Sequence, residues 1–137
     1  MDIAAHIRAA GLRRTPARLA VLAVLRRAGC LLKHKEIADR LPEVDRVTLY
    51  RTLSSLRDAD LVHRARGLDG AWRYGCNEDQ EQRCPGDHIH FHCLQCHSMR
   101  CLPDRPLPWI TVDDGSEVVG KQLIVYGRCS RCATESP

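Results

Sequence analysis

The sequence predicts an α+β protein with a helical first half that ends in a strand hairpin and a cysteine-rich second half. Two observations support this prediction. Apolar residues recur every three or four positions through about the first sixty residues, which is typical of amphipathic helices. Short alternating runs and paired cysteines follow, so helices and strands are separated along the chain. We expect two parts, residues 1–76 and residues 77–137.

Composition narrows the class of protein. The 137 residues include 8 Cys and 7 His but only 2 Trp, 3 Tyr and 1 Phe, so a small core needs further support. The chain shows neither the pattern of a secretory signal nor an apolar run of about 20 residues that could span a membrane. We therefore expect a cytoplasmic protein without membrane contact, whose cysteines bind metal and do not form disulfides.

Charge is divided unevenly between the two halves. Residues 1–66 carry 14 Lys or Arg against 7 Asp or Glu, whereas residues 67–137 carry 7 against 10. Such asymmetry predicts a basic part that binds nucleic acid or another anionic surface. All cysteines except Cys30 lie in the second half, which predicts a different task there. We interpret Cys30 as an inert core thiol.

Three helices are expected within about the first 41 residues. The first covers about residues 3–10. In the second, Thr15 is the predicted N-cap, Pro16 occupies the first helical position, and Gly29 ends the apolar stripe. The third covers about residues 34–41 and stops at a proline.

A fourth helix and a hairpin complete the basic half. The helix begins at an Asp45 cap and runs to about Ala59, and its polar face is almost free of acids, as insertion into a DNA major groove requires. Two alternating runs, 61–66 and 71–74, flank a glycine-containing turn and predict the hairpin. Helices followed by a basic hairpin form a winged helix-turn-helix, although a plain helical core without DNA stays possible. The predicted DNA contacts are Arg13, Arg14, Arg18, Thr48, Tyr50, Arg51, Thr52, Arg64 and Arg66.

Two CxxC pairs predict a structural zinc site. Cys93 and Cys96 form the first pair and Cys129 and Cys132 the second, with 32 residues between them. A two-residue gap lets both sulfurs of a tight turn face one ion, and four sulfurs complete a closed tetrahedral shell without a position for substrate. An iron–sulfur cluster and a redox CxxC are the alternatives.

A second group of histidines and cysteines predicts another metal site. Strand alternation places His88, His90 and His92 on one face. His63 ends the helical half and Cys76 ends the hairpin, so a metal held by both and by the histidine strand would bridge the two parts. Other members of this group are Cys84 and Cys101, with His97 nearby.

Four segments of the chain carry a resemblance to a known family. They are Arg14-Thr15-Pro16-Ala17-Arg18, Thr48-Leu49-Tyr50-Arg51-Thr52-Leu53, the His-x-His before the first CxxC, and Leu123-Ile124-Val125-Tyr126-Gly127-Arg128-Cys129. With these segments the chain resembles, over essentially its whole length, the ferric uptake regulator (Fur) family of bacterial metal-responsive repressors. The resemblance implies an N-terminal winged helix, a C-terminal α/β dimerisation domain, and a homodimer that binds palindromic DNA operators when its sensing metal is present.

Within this family the chain looks most similar to the zinc-uptake regulators (Zur). These have a His after the recognition helix, here His63, and a Cys that closes the wing, here Cys76. Cys101 replaces a Glu that some of them use, and Leu31 stands where iron-sensing members usually have a His. The resemblance therefore implies a zinc-responsive repressor that controls metal-uptake genes. The expected regulatory ligands are His63, Cys76, His88, His90 and Cys101, with Cys84 in reserve.

Other functions stay open. The chain could sense iron, manganese or nickel, or respond to thiol oxidation or peroxide. A zinc enzyme is a distant alternative because neither H-x-E with P-C-x-x-C nor H-E-x-x-H occurs. We therefore expect no catalytic residues and no small-molecule substrate. Residues 102–109 contain three prolines where the family usually begins a helix, so we expect that helix to be shortened or lost.

Overall fold

A computed structural model describes residues 2–77, 88–108, 110–119 and 121–135. The described residues form five helices and six strands, in an α+β arrangement that confirms the predicted fold class. The helices are α1 (Ile3–Ala9), α2 (Pro16–Ala28), α3 (His34–Arg40), α4 (Arg46–Asp58) and α5 (Ser130–Glu135). The strands are β1 (Leu32–Lys33), β2 (Val62–Arg66), β3 (Trp72–Cys76), β4 (His88–Cys93), β5 (Met99–Pro106) and β6 (Leu123–Gly127).

The helix ends follow the predicted capping signals. Thr15 Oγ1 accepts a hydrogen bond from the backbone N–H of Arg18 at 3.2 Å and caps α2. Gly29 ends the same helix with a φ of 67°, a left-handed conformation that suits glycine. Asp45 caps α4 in the same way as Thr15 caps α2. The prediction placed the ends of α1, α3 and α4 one residue too far along the chain.

Helices α1 to α4 share one hydrophobic core with strands β1, β2 and β3. The buried residues of this core are Ile7, Val21, Leu22, Leu25, Leu32, Ile37, Leu41, Leu49, Leu53, Leu56, Val62 and Tyr74.

Within the described part of the chain, none of the helices is long and apolar enough to cross a bilayer.

The predicted hairpin is part of a three-stranded sheet, here called the wing sheet, in the order β1-β3-β2. The two-residue strand β1 is too short to be recognised from sequence. Alternation gives the sheet two faces. Val62 and Tyr74 belong to the helical core, whereas Ala65 and Arg73, which pair across β2 and β3, lie on the opposite face. That opposite face meets the second sheet.

The second sheet, here called the C-terminal sheet, has the order β5-β4-β6. Strand β4 pairs antiparallel with β5 and parallel with β6. Residues 102–106 of the proline-rich segment lie in β5, which agrees with the expected shortening or loss of a helix there. Among the described residues 107, 108, 110–119, 121 and 122, none belongs to a helix or a strand.

The two sheets meet through a small apolar junction. The backbone N–H of Leu31 donates to the carbonyl of Met99 at 2.7 Å. Leu31, Ala65 and Met99 are buried together, with Ile124 packed against them. This junction places the face of the wing sheet that carries His63 against β4 and β5, which carry His90 and Cys101.

Candidate metal centres and nucleic-acid interface

The two CxxC pairs form one cluster at the end of the C-terminal sheet. The Sγ atoms of Cys93, Cys96, Cys129 and Cys132 all lie within 4.8 Å of one another. Cys96 Sγ and Cys129 Sγ are 3.8 Å apart. Two Zn–S bonds of about 2.3 Å at the tetrahedral angle place their sulfurs about 3.8 Å apart, so this cluster fits a zinc ion.

Hydrogen bonds and burial shift the pKa values of the thiols in this cluster in opposite directions. Backbone N–H groups of Cys96 and Cys129 donate to Cys93 Sγ and lower the pKa of Cys93 to about 5. The Ser98 hydroxyl, 3.1 Å from Cys96 Sγ, lowers the pKa of Cys96. Burial raises the pKa of Cys132 to about 12. A metal cation would compensate the charge of four thiolates that are brought this close together.

A second cluster joins the two sheets. Ligand atoms of His63, His90 and Cys101 all lie within 4.8 Å of one another. His63 comes from β2 of the wing sheet, whereas His90 and Cys101 face each other in the pairing of β4 with β5. His90 is 1% exposed. We name this group the hinge cluster, because its members come from both sides of the junction.

The surroundings of His63 suit a metal ligand. Its Nδ1 lies 2.6 Å from Asn77 Oδ1. Its Nε2 is buried and has no hydrogen-bond partner among the described residues. Gly75 lies beneath the ring, where a Cβ atom would come within 3.0 Å of Nε2. A buried nitrogen lone pair beside a second imidazole and a thiol is a donor set for a borderline metal such as zinc.

The hinge cluster, as far as the described residues show it, does not include the other predicted regulatory ligands. Cys76 pairs with Val62, packs against the helical core and is not part of the hinge cluster. Its role as a ligand therefore stays a prediction. His88 begins β4, with a register shift between it and the next residue. Cys84 lies outside the described residues. His92 is buried nearer the wing turn, where its Nδ1 accepts from the backbone N–H of Leu68 at 3.4 Å, and burial lowers its pKa.

Helix α4 presents the predicted base-reading side chains. Tyr50 is 62% exposed, and Arg51 is exposed beside a cleft of about 610 Å³ between α2 and α4. Thr48 is exposed, and its hydroxyl donates to Asp45. Thr52 is instead buried and donates to the Thr48 carbonyl, so it offers little surface to DNA. Helical periodicity places Thr52 on the side of Leu49 and Leu56.

The predicted phosphate contacts surround this cleft and the wing. Arg13 and Arg14 are exposed before α2. Arg18 lines the cleft, but its guanidinium also donates to Ser55 Oγ at 3.0 Å and to the Arg13 carbonyl at 2.6 Å, so it joins α2 to α4. In the wing, the Arg64 guanidinium lies 4.1 Å from the centre of the Trp72 ring and that of Arg66 lies 5.7 Å from it.

Comparison with known proteins decides the family. The model of the ferric uptake regulator family matches residues 9–108 of this chain. The chain belongs to the ferric uptake regulator family. Members of this family are metal-responsive regulators of transcription, so the regulatory function expected from the sequence is confirmed at the family level.

Individual members of the ferric uptake regulator family are similar over most of the chain. Ferric uptake regulation protein 1 of Mycolicibacterium fortuitum is 29% identical over 133 residues, which cover 92% of this chain and 79% of that protein. Among solved structures, holo XcZur has a TM-score of 0.62 and 26% identity, covering 90% of this chain and 89% of its own. A zinc uptake regulator in complex with zinc and DNA has a TM-score of 0.68 and 19% identity, covering 93% and 88%.

Some residues of this family member escaped sequence reasoning. Asp69 holds Arg73 through two hydrogen bonds of 2.8 Å, and Arg73 also donates to the His97 carbonyl at 3.3 Å. Arg73 was expected only as one of several basic residues of the hairpin, yet it is 1% exposed. Asn77 beside His63 gave no signal at all. Trp72 lay in a recognised strand, but its stacking on arginines depends on the strand register.

Proposed function

We propose that this chain is a zinc-responsive repressor of metal-uptake genes. The observation that carries the proposal is the origin of the hinge cluster, which takes His63 from the wing sheet and His90 and Cys101 from the C-terminal sheet. Zinc bound there would tie the two sheets together. With the wing fixed, α4 would be held at the angle that DNA requires; with the site empty, that angle would be lost.

The donor set favours zinc over iron or manganese. One thiol and two imidazoles are soft to borderline ligands, whereas manganese prefers oxygen donors. Cys76, which ends β3, stays the proposed fourth ligand, although its pairing with Val62 places it on the face of the helical core. His88 and Cys84 are the alternatives. The four-cysteine cluster would hold a second zinc ion with a structural role.

A homodimer is proposed to bind a palindromic operator. Strand β6 lies at the edge of the C-terminal sheet, and no described strand pairs with its other side. Leu123, Val125 and Tyr126 expose 40%, 44% and 62% of their surface there. An apolar edge strand of this kind favours pairing with a second copy. Two α4 helices would then enter successive major grooves.

In this proposal the two parts have separate tasks. Residues 1–76 bind DNA, and residues 77–137 bind metal and dimerise. Tyr50 and Arg51 contact bases, while Arg13, Arg14, Arg18 and the wing arginines contact phosphates. Such a regulator would act in the cytoplasm, where thiols stay reduced.

Iron is the second candidate metal, because the relative from Mycolicibacterium fortuitum is named for ferric uptake. The test begins with a DNA duplex selected from a random library by the zinc-loaded protein. Zinc is then removed stepwise with a chelator, and zinc content and DNA affinity are measured together. We expect two zinc ions per chain, of which the weaker one controls DNA affinity. Equal DNA affinity with only one zinc ion bound would overturn the sensor proposal, and stronger activation by anaerobic Fe²⁺ would favour iron.

Two substitutions test the proposed ligands. Cys101→Ser and Cys76→Ser should each abolish the effect of zinc on DNA affinity and leave the fold intact. Cys30→Ser is the matched control, because Cys30 lies outside both clusters and burial raises the pKa of its thiol. If Cys76→Ser behaves like the control while Cys101→Ser does not, another residue supplies the fourth ligand.

A further inference from the structure

The side chain of Asn77 has a defined orientation. It follows β3 directly, is 8% exposed, and its backbone N–H donates to the Leu61 carbonyl at 3.0 Å. Asn77 Nδ2 donates to the carbonyl of Asp60 at 2.8 Å. A carbonyl only accepts hydrogen bonds, so the NH₂ end of the amide must face Asp60. Oδ1 therefore points the other way, to His63 Nδ1 at 2.6 Å.

This orientation decides which nitrogen of His63 carries hydrogen. Asn77 Oδ1 only accepts, so Nδ1 of His63 must donate to it. In a neutral ring the lone pair is then left on Nε2. That atom is buried, and none of the described residues gives it a hydrogen bond. The nitrogen that can bind a metal in the hinge cluster is thus selected before any metal arrives.

The other end of the Asn77 amide reaches the recognition helix. Asp60, whose carbonyl it binds, lies two residues after the end of α4 and has a left-handed φ of 61°. The next residue, Leu61, donates its N–H to the Leu56 carbonyl in the last turns of α4. His63, Asn77 and Asp60 therefore form a continuous hydrogen-bonded connection from the hinge cluster to the end of α4.

We propose that Asn77 is a positioning residue with two roles. It fixes the His63 tautomer that leaves Nε2 for the metal, and it transmits metal binding to the helix that carries Tyr50 and Arg51. This inference rests on the proposed function of the hinge cluster. Residues that hold a ligating histidine through its second nitrogen affect metal affinity by about 10- to 100-fold when they are removed.

Two substitutions at Asn77 separate these roles. Asn77→Asp keeps an oxygen that accepts from His63 Nδ1 but loses the donor to the Asp60 carbonyl. Asn77→Ala loses both. Gln122→Glu is the matched control for the Asp variant, because Gln122 also donates its amide to a backbone carbonyl, that of Arg66, and neither residue contributes a ligand atom to the hinge cluster.

The first measurement is the affinity for Co²⁺, with the four-cysteine site kept loaded with zinc. Thiolate absorption bands of bound Co²⁺ report on Cys101. Asn77→Ala should weaken Co²⁺ binding about 10- to 100-fold. The Asn77→Asp and Gln122→Glu variants should bind Co²⁺ with an affinity within about threefold of the parent's. Unchanged affinity in Asn77→Ala would overturn the first role.

The second measurement is the ratio of DNA affinities with and without metal in the hinge cluster. A coupling of about 5- to 150-fold is typical of allosteric proteins. We expect Asn77→Asp to lower this ratio toward 1 although it still binds metal, while Gln122→Glu keeps the parent ratio. A parent-like ratio in Asn77→Asp would overturn the second role.

A spectroscopic measurement keeps this inference distinct from the proposed function. Long-range ¹H–¹⁵N correlation spectra at pH 8, without metal in the hinge cluster, identify the protonated nitrogen of each neutral imidazole. His63 should carry hydrogen on Nδ1 in the parent and lose this preference in Asn77→Ala. Hydrogen on Nε2 in the parent would overturn the inference even if zinc binds. Hydrogen on Nδ1 without any metal binding would overturn the proposed function alone.

Discussion

The two candidate metal clusters differ in where their side chains come from. The four-cysteine cluster takes Cys93 and Cys96 from the end of β4 and the turn after it, and Cys129 and Cys132 from the residue before α5 and from α5 itself. These segments are held together because the Leu94 N–H donates to the Gly127 carbonyl at 2.7 Å. The hinge cluster takes one ligand from the wing sheet and two from the C-terminal sheet.

Because of this difference, we expect metal loss to have a different effect at each cluster. Loss of a metal held within the C-terminal sheet and its connections would remove support from that sheet. Loss of a metal held between the two sheets would remove a connection, while each sheet would keep its own hydrogen bonds. The first cluster should therefore control stability, and the second should control the relative positions of the two sheets.

Cys93→Ser should have the largest effect. Structural zinc contributes about 10–16 kcal/mol of apparent binding free energy in small zinc domains, which reaches or exceeds the total stability of about 5–15 kcal/mol of most domains. We expect the C-terminal sheet to unfold and the dimer to dissociate. Circular dichroism during thermal unfolding, zinc content and size-exclusion chromatography measure these outcomes.

Cys101→Ser, in the hinge cluster, is the variant to compare with Cys93→Ser. It should retain the parent secondary structure and dimer while it loses one zinc ion per chain. If Cys93→Ser stays folded, or if Cys101→Ser unfolds to a similar extent, the division of the two clusters into a structural and a positional one is wrong.

Sequence predicted the two clusters to different degrees, for a physical reason. A CxxC turn brings its sulfurs together through local geometry, so the four-cysteine cluster could be predicted from spacing. The hinge cluster depends on long-range pairing. Cys101 joins His90 through the register of β5 on β4, and the pairing of Leu31 with Met99 holds the wing sheet, with His63, against these strands. Spacing contains no information about either event.

The same limit applies to two individual residues. Cys76 was predicted as a ligand because it ends the hairpin, as His63 ends the helical half. The observed register pairs Cys76 with Val62, on the face that meets the helices, so its role as a ligand stays a prediction. Thr52 was predicted as a DNA contact from its chemical type, and the helical period places it on the side of the buried Leu49 and Leu56. Helix boundaries were predicted to within one residue because capping signals are local.

Asp69→Asn should have an intermediate effect, because Asp69 holds Arg73, which donates to the His97 carbonyl and so connects the wing sheet to the turn after β4 without a metal. Arg73 is buried, and Asp69 binds its guanidinium with two hydrogen bonds. Removing one partner of a fully buried ion pair costs about 3–5 kcal/mol. Because the Asp69 side chain is 33% exposed and an amide still accepts one hydrogen bond, we expect a loss of about 1–3 kcal/mol in the free energy of unfolding. Urea denaturation at pH 7 measures it.

This loss should depend on pH in a defined direction. Hydrogen bonds from Arg73 hold the pKa of Asp69 well below its usual range. A lowered carboxyl pKa stabilises the folded protein above the unfolded pKa of about 3.9, and this stabilisation decreases as pH falls below that value. The difference between parent and Asp69→Asn should therefore be constant above about pH 5 and shrink below about pH 4. A difference that grows on acidification would contradict the assignment. Measuring both proteins at each pH controls for acid-induced zinc loss.

Asp45→Ala should have the smallest effect. Asp45 caps the start of α4, and neither cluster includes a residue from this helix. Asp45 accepts from the Thr48 N–H at 2.8 Å and from the Thr48 hydroxyl at 2.9 Å, and the backbone bond to Thr48 lowers its pKa. Loss of such an N-cap costs about 0.5–2 kcal/mol. Asp58→Ala is the matched control, since an acid in the last turn of α4 opposes the helix dipole and its removal should cost nothing. Thermal unfolding should give the same Asp45→Ala loss with the hinge cluster loaded or stripped. A loss that changes with zinc would mean that the hinge cluster acts on the whole of α4 and not only on its C-terminal end.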